Sequence, residues 1–401
     1  MVESWALETQ YQLTPNLTAS VGYMDMHSTH LHAMLDFFND MPDKYMALGD
    51  WLNWWAIAPG PNGWNGAPLS PFPNFSCASG CVWPINEPEY QAFRPFPQFS
   101  YINMDSYLQN LGQSTCNALE VKAEQRFHNG LNVLASYTFS KTLTDADVIQ
   151  PYWSTLQNGG AIQDPENLRA EKCVSSEDIP NNFVISYLYE LPIGSGKKFL
   201  AASPRLVQAV VSGWEVSGVQ HYESGQPISI YGATGIPGKN SSVRFNRVAG
   251  QPVKNPNYKG PLSFTPGNTP NIAGNIYSTN ARETGYFNCA AFYDPNLFQN
   301  RDPNGTGANG EGNPWRFGNM PRNSANIRGP GFKSEDFGIQ RTIPVFHKVN
   351  VQFRGEMFNA FNRHIFLRPN SALATSNSSV GQVGGTVYGP RGVQFRLRIN
   401  Y

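Results

Sequence analysis

The sequence predicts an all-β fold: an antiparallel transmembrane β-barrel with long loops at one end. Three observations predict it. Apolar residues recur at every second position over runs of about ten residues, near the 9–11 of a tilted membrane-spanning strand and beyond the usual 5–6. The connections between these runs alternate between short and long, as in barrels with short turns on one side of the membrane and long loops on the other. The composition agrees. Of 401 residues, 14% are charged and 13% aromatic, with 37 glycines and 31 prolines, whereas soluble domains carry roughly 25% charge.

Trp5, Leu7, Thr9, Tyr11 and Leu13 alternate with polar residues; after a Thr14-Pro15-Asn16 turn, Leu17, Ala19, Val21 and Tyr23 do the same. This predicts a hairpin. A second pair is stronger. Leu119, Val121 and Ala123 oppose Glu120, Lys122, Glu124 and Arg126; a His128-Asn129-Gly130 turn follows; Leu131, Val133, Ala135, Tyr137 and Phe139 return. Asn-Gly is a tight-turn signal. Further strands are predicted at 181–191 (Phe183, Ile185, Tyr187, Tyr189), 214–222, 335–341, 348–358 and 393–401. The last alternates most cleanly, Val393, Phe395, Leu397, Ile399 and Tyr401 against Gln394, Arg396, Arg398 and Asn400.

Alternation alone fits a soluble sandwich as well as a membrane barrel, because either has one apolar and one wet face. The connections favour the barrel. The short ones are 14–16, 128–130, 192–213 and 343–347, and the long ones 26–115, 142–180, 224–334 and 360–391; long structureless connections are uncommon in compact soluble domains. With the long loops extracellular, the last strand ends at the periplasmic side. Nine strands then place Met1 outside, whereas bacterial barrels begin in the periplasm with even strand numbers. Unless one strand is miscounted, upstream strands are expected. Met1 to Trp5 also lacks the basic and apolar regions of a signal peptide.

Other classes are disfavoured. Mean hydropathy is −0.40, and the longest apolar stretches, such as Leu206 to Val211, fall far short of the roughly 20 residues of a spanning helix. The chain carries 29 basic and 29 acidic residues, so nothing suggests nucleic-acid binding. Five cysteines show no metal-ligand spacing. Cys77 and Cys81 either form a local disulfide or remain loop thiols.

Several motifs carry a family resemblance: Asn117 to Phe127 followed by LNVLASYTFSKTLT (131–144), GWEVSG (213–218), SGQP (224–227), FGN (317–319), RGPG (328–331) and FRGEMFNAFNRH (353–364). In this order and spacing they resemble the C-terminal barrel of Oar-like TonB-dependent outer-membrane receptors, over roughly Trp5 to Tyr401. The resemblance implies that residues 1–401 are the C-terminal portion of a 22-stranded barrel in the outer membrane of a Gram-negative bacterium. It also implies an N-terminal plug, often a regulatory-like domain before it, and import driven through the TonB complex. None of those upstream parts is in this sequence, so TonB coupling would run through the absent plug. Phe395, Leu397, Ile399 and Tyr401 resemble the C-terminal signal read by the barrel assembly machinery; an ordinary edge strand is the plainer alternative.

The candidate ligand contacts are loop aromatics. Trp51, Trp54, Trp55, Trp64 and Trp83 lie in 26–115, where exposed rings can stack on a glycan or another flat small molecule. The alternatives are self-packing and an interfacial girdle. Catalytic motifs are absent: no Gly-x-Ser-x-Gly, no His-Glu-x-x-His, no phosphate loop. His27, His30 and His32 fit no standard metal spacing. Asp302 to Glu311 departs from the calcium-loop pattern. Arg354 and Glu356 suit a cross-strand ladder on the wet face. No cofactor, metal or catalytic residue is expected. Transport without bond chemistry is the first function expected, a surface binding or adhesion module the second. A polysaccharide-cleaving sandwich would need a convergent carboxylate pair, and the sequence shows none.

Overall fold

The structure, a computed structural model, describes residues 1–31, 39–53, 88–96, 110–128, 130–146, 162–239, 241–260, 285–296, 314–346, 349–373 and 379–401. Nine long strands form one antiparallel sheet in chain order. They are β1 (Val2–Thr14), β2 (Leu17–Leu31), β3 (Gly112–His128), β4 (Leu131–Thr144), β5 (Asn181–Glu190), β6 (Trp214–Glu223), β7 (Phe332–Phe346), β8 (Val349–Phe358) and β9 (Gly392–Asn400). Each expected strand is present, and β2, β3 and β7 run well past their predicted ends. A two-residue strand, Cys173–Val174, extends the sheet at the end of β4. Among the described residues β1 pairs only with β2, and β9 only with β8, so the sheet they form is open.

Direct cross-strand partners share a face, so the register sorts every side chain. Val121, Tyr137 and Phe183 stand in one row; Phe353 stands opposite Leu397. The opposite face carries Glu124, Leu134, Ser186, Val219 and Asp336 in a continuous row. On β4 the apolar positions from Leu131 to Phe139 cover about 26 Å at ~3.3 Å per residue, enough for the hydrophobic band of a membrane barrel. That band is bare: Leu7 is 71% exposed and Phe395 74%. Among the described residues of the nine strands, Ala118 is the single buried apolar side chain.

The buried core lies instead in the long connections. These run 32–111, 145–180, 224–331 and 359–391, all from one end of the sheet. Ile228, Phe245, Phe287 and Phe292 of the third pack with Leu373 and Val380 of the fourth. Met41, Leu52 and Phe93 of the first pack with Ile236, Val243 and Trp315 of the third. Ile162 of the second is fully buried, and its carbonyl accepts from the Ser242 amide at 3.1 Å. Each fully buried large side chain contributes roughly 1.5–3 kcal/mol. The described parts of the four connections therefore pack together as one cap. Two short pairs, Asn246–Arg247 with Phe292–Tyr293 and Pro227–Ile228 with Ser324–Arg328, belong to the cap and not to the main sheet.

At the other end the connections are short, as expected. The one expected at 192–213 contains a helix, Arg205–Val211, between Pro204 and Gly213. Pro fixes the φ of a helix start, and Gly213 adopts φ +75° just past its end. Among the described residues no helix is long and apolar enough to cross a membrane.

Candidate functional site

The polar face of the sheet holds a cavity of about 670 Å³, lined by β3 to β8. Period-two geometry puts Lys122 and Glu124 of β3, Asp336 of β7, and Arg354 and Glu356 of β8 on its wall. Apolar Leu134, Leu188 and Phe358 interrupt them. The mixed wall suits a polar ligand that also presents apolar surface.

Its carboxylates are satisfied by neighbours. Glu356 accepts from Arg354 at 2.6 Å along its own strand and from Gln394 at 2.6 Å across to β9. The expected Arg354–Glu356 ladder is therefore an along-strand pair with one cross-strand rung. Asp336 accepts the Asn359 amide at 2.8 Å, and Glu124 pairs with exposed Arg126 at 2.8 Å. Below the cavity Gln340 donates to Glu215 at 2.5 Å. These are structural contacts. No group of three His, Cys, Asp or Glu suited to a metal is found among the described residues. His27 lies 3.5 Å from the Thr115 hydroxyl and His30 3.0 Å from Thr29; His32 lies outside the described residues.

Arginines paired with buried carboxylates, which the sequence does not advertise, tie the cap's connections to one another and, at Arg363 and Glu335, to the sheet. Glu171, wholly buried, meets the Arg244 guanidinium. Burial pushes the Arg244 pKa down, and Glu171 opposes that shift. Gln163 accepts from the Arg244 and Gly318 amides at 2.7 and 3.0 Å and donates to the Gly318 carbonyl at 2.9 Å. Gly318 has no room for a side chain: a Cβ there would lie 1.9 Å from the Arg244 carbonyl oxygen. Arg322, 1% exposed, donates to the Asp145 and Thr144 carbonyls at 3.1 and 3.0 Å, over the end of β4. Arg328 reaches Asp178 at 2.6 Å. Arg363 reaches the buried Glu335 at 3.1 Å, and Tyr222 donates to that carboxylate at 3.2 Å.

Several of the resemblance motifs fall on this rim, SGQP, RGPG and the end of FRGEMFNAFNRH among them. A Cβ on Gly225 of SGQP would lie 1.8 Å from the Gly329 carbonyl oxygen of RGPG, so the backbones leaving β6 and entering β7 cross in contact. In FRGEMFNAFNRH, Asn359 and Asn362 adopt φ +48° and +52°, a region asparagine tolerates. The Asn359 amide group donates to the Arg363 and Gly389 carbonyls, both at 3.0 Å. These residues shape the rim, while Arg354 and Glu356 of the last motif stand on the cavity wall.

Of the predicted ligand contacts, Trp54, Trp55, Trp64 and Trp83 lie outside the described residues; Trp51 falls in the turn Asp50–Asn53, its side chain outside them. Cys77, Cys81 and the 302–311 segment are outside as well. Among the described residues the tryptophan that the cap buries is Trp315, whose Nε1 donates to the Gly49 carbonyl at 2.8 Å. Phe395, Leu397, Ile399 and Tyr401 share one exposed face of the terminal segment.

A meandering antiparallel sheet, bare and apolar on one face, polar on the other, with short turns at one end and folded loops at the other, defines a transmembrane β-barrel protein. The chain belongs to the outer membrane beta barrel domain family, whose model matches residues 1–394. It sits in the outer membrane, with its long loops extracellular. Among solved structures it is similar to the ferric citrate transporter FecA in the unliganded form, at 9% identity and a TM-score of 0.33. That alignment covers 98% of this chain and 30% of the transporter, so the chain spans under a third of that relative's length. No curated protein matches the sequence.

Proposed function

We propose that residues 1–401 are the C-terminal barrel portion of an Oar-like TonB-dependent receptor that captures a small molecule or glycan and imports it without bond chemistry. The observation that carries this reading is the pairing of a co-folded extracellular cap with a mixed polar cavity on the lumen face. The cap supplies a shaped outer surface, and the cavity supplies charged and apolar contacts along the path inward. Self-satisfied carboxylates suit recognition better than acid–base chemistry. In this reading Trp51, Trp54, Trp55, Trp64 and Trp83 stack on the ligand, TonB acts through an upstream plug, and Phe395 to Tyr401 address the barrel assembly machinery.

The test is the DNA upstream of Met1. An in-frame plug preceded by a signal peptide supports the transporter. A stop codon and promoter directly upstream overturn it. The rigid cap, with its own core, would then favour a surface binding or adhesion module.

A further inference from the structure

We propose that the β5–β6 connection is a membrane-surface anchor, seating the helix Arg205–Val211 in the phospholipid leaflet on the periplasmic side. The outward apolar arc comes first. Leu206 is 84% exposed and Val210 65%, with Val207, Phe199 and Leu200 exposed beside them. Positions 206, 207 and 210 share one side of a helix, so these chains form one face. Gln208 faces inward, donating to the Leu200 and Ala201 carbonyls at 2.6 and 3.1 Å and accepting from the Ser212 hydroxyl at 2.9 Å. The apolar face is therefore held outward by its own polar backing.

Continuity with the lipid-facing band identifies what covers it. Trp214 and Arg341, direct partners on β6 and β7, stand on the apolar side of the sheet. Trp214 donates from Nε1 to the Val210 carbonyl at 2.8 Å. Arg341 donates to the Val210 carbonyl at 2.8 Å and also to that of Ala209, with its guanidinium 5.7 Å over the Trp214 ring. An arginine on the lipid face is strongly disfavoured at the bilayer midplane and tolerated at the interface. Trp and Arg therefore mark the water boundary of the band, and the helix is fastened at that level.

Charge completes the match. Residues 191–213 contain Lys197, Lys198 and Arg205 and no acidic residue, in a chain that is neutral overall. Lys197 pairs with Glu190 at 2.9 Å. Among the described residues no carboxylate lies within ion-pair distance of Lys198 or Arg205. Arg205 stands at the helix start, where a cation opposes the helix dipole, so helix stability does not explain it. An apolar arc flanked by cations is the pattern of helices that lie in the headgroup region of anionic bilayers.

The test uses the full chain in outer membranes, with a photo-crosslinking phenylalanine analogue at Leu206, Gln208 or Val210, and at Phe395 as the lipid-facing reference. Expected are phospholipid adducts at 206 and 210 comparable to those at 395, and few at 208. Lys198→Gln with Arg205→Gln should lower the adduct yield at 210 roughly fivefold for each cation, leaving that at 395 unchanged. Protein adducts at 206 and 210, or no lipid adducts there while 395 gives them, overturn the proposal.

Discussion

Glu171 illustrates how much rests on single side chains in the cap. It is wholly buried against the Arg244 guanidinium. Breaking a buried pair from one side costs about 3–5 kcal/mol because the other charge is stranded. Glu171→Ala is expected to expose the cap to protease while the sheet persists, which limited proteolysis of outer membranes would show; an unchanged digestion pattern would refute the coupling. Asp164 behaves in the opposite sense. Burial first, then the Asp43 charge, raises its pKa, while Lys239 and backbone donors act against the shift. A carboxyl with a raised folded pKa contributes its stability fully below the unfolded value, about 3.9, and loses it as pH rises through the folded value. Asp164→Asn keeps the Oδ1 that accepts the Glu166 amide at 2.9 Å. The variant should match the wild type in acid and exceed it at neutral pH by less than about 1 kcal/mol, since the site is part-exposed; thermal melts at the two pH values check this. None of these residues was legible beforehand. Isolated Glu, Arg and Gln in loops carry no period, and their partners stand 73 and 155 positions away. For the ligand, replacing Trp54 and Trp55 by Ala should weaken binding of a stacked glycan roughly tenfold, measurable by titration of oligosaccharides against the receptor.

At the level of elements, the nine strands were readable because each carries its own face preference and most end at Gly, Pro or Asn. The ends were not: β2, β3 and β7 extend into segments where the alternation fades, kept in the sheet by neighbours whose pairing continues. The helix Arg205–Val211 was missed because seven residues are too few to show a helical period, although Pro204 and Gly213 bracketed it. The β3–β4 hairpin offers a direct test. Gly130 adopts φ +81°, and a Cβ there would lie 3.1 Å from the Glu190 carbonyl oxygen. Gly130→Val combines a disfavoured conformation with that contact and is expected to cost about 1–3 kcal/mol. Less folded, heat-modifiable barrel on gels would register it, and an unchanged yield would contradict it.

For the whole molecule, the open sheet has a thermodynamic consequence. Among the described residues β1 and β9 each present one unpaired edge, and in hydrocarbon each unsatisfied backbone group costs several kcal/mol. Nine strands alone are therefore expected to give aggregates or strand-exchanged oligomers, and a discrete monomer only when further strands pair both edges; sedimentation of detergent-folded protein distinguishes these. A well-behaved monomer of the nine strands would refute it. The fold class could be read from alternation and loop lengths. The cap could not, because its core is assembled from apolar residues scattered across four connections with no period in any one of them.

That shared core bears on how such a protein can change over generations. Phe245 and Leu373, or Leu52 and Trp315, meet only when separate loops are inherited together. A recombination junction between β2 and β7 would pair half of one core with a stranger's other half. The strands, which meet through backbone and lipid, tolerate such shuffling far better. Variation in the outer surface should therefore travel as whole sets of loops, so that the exterior drifts as one unit on a conservative frame.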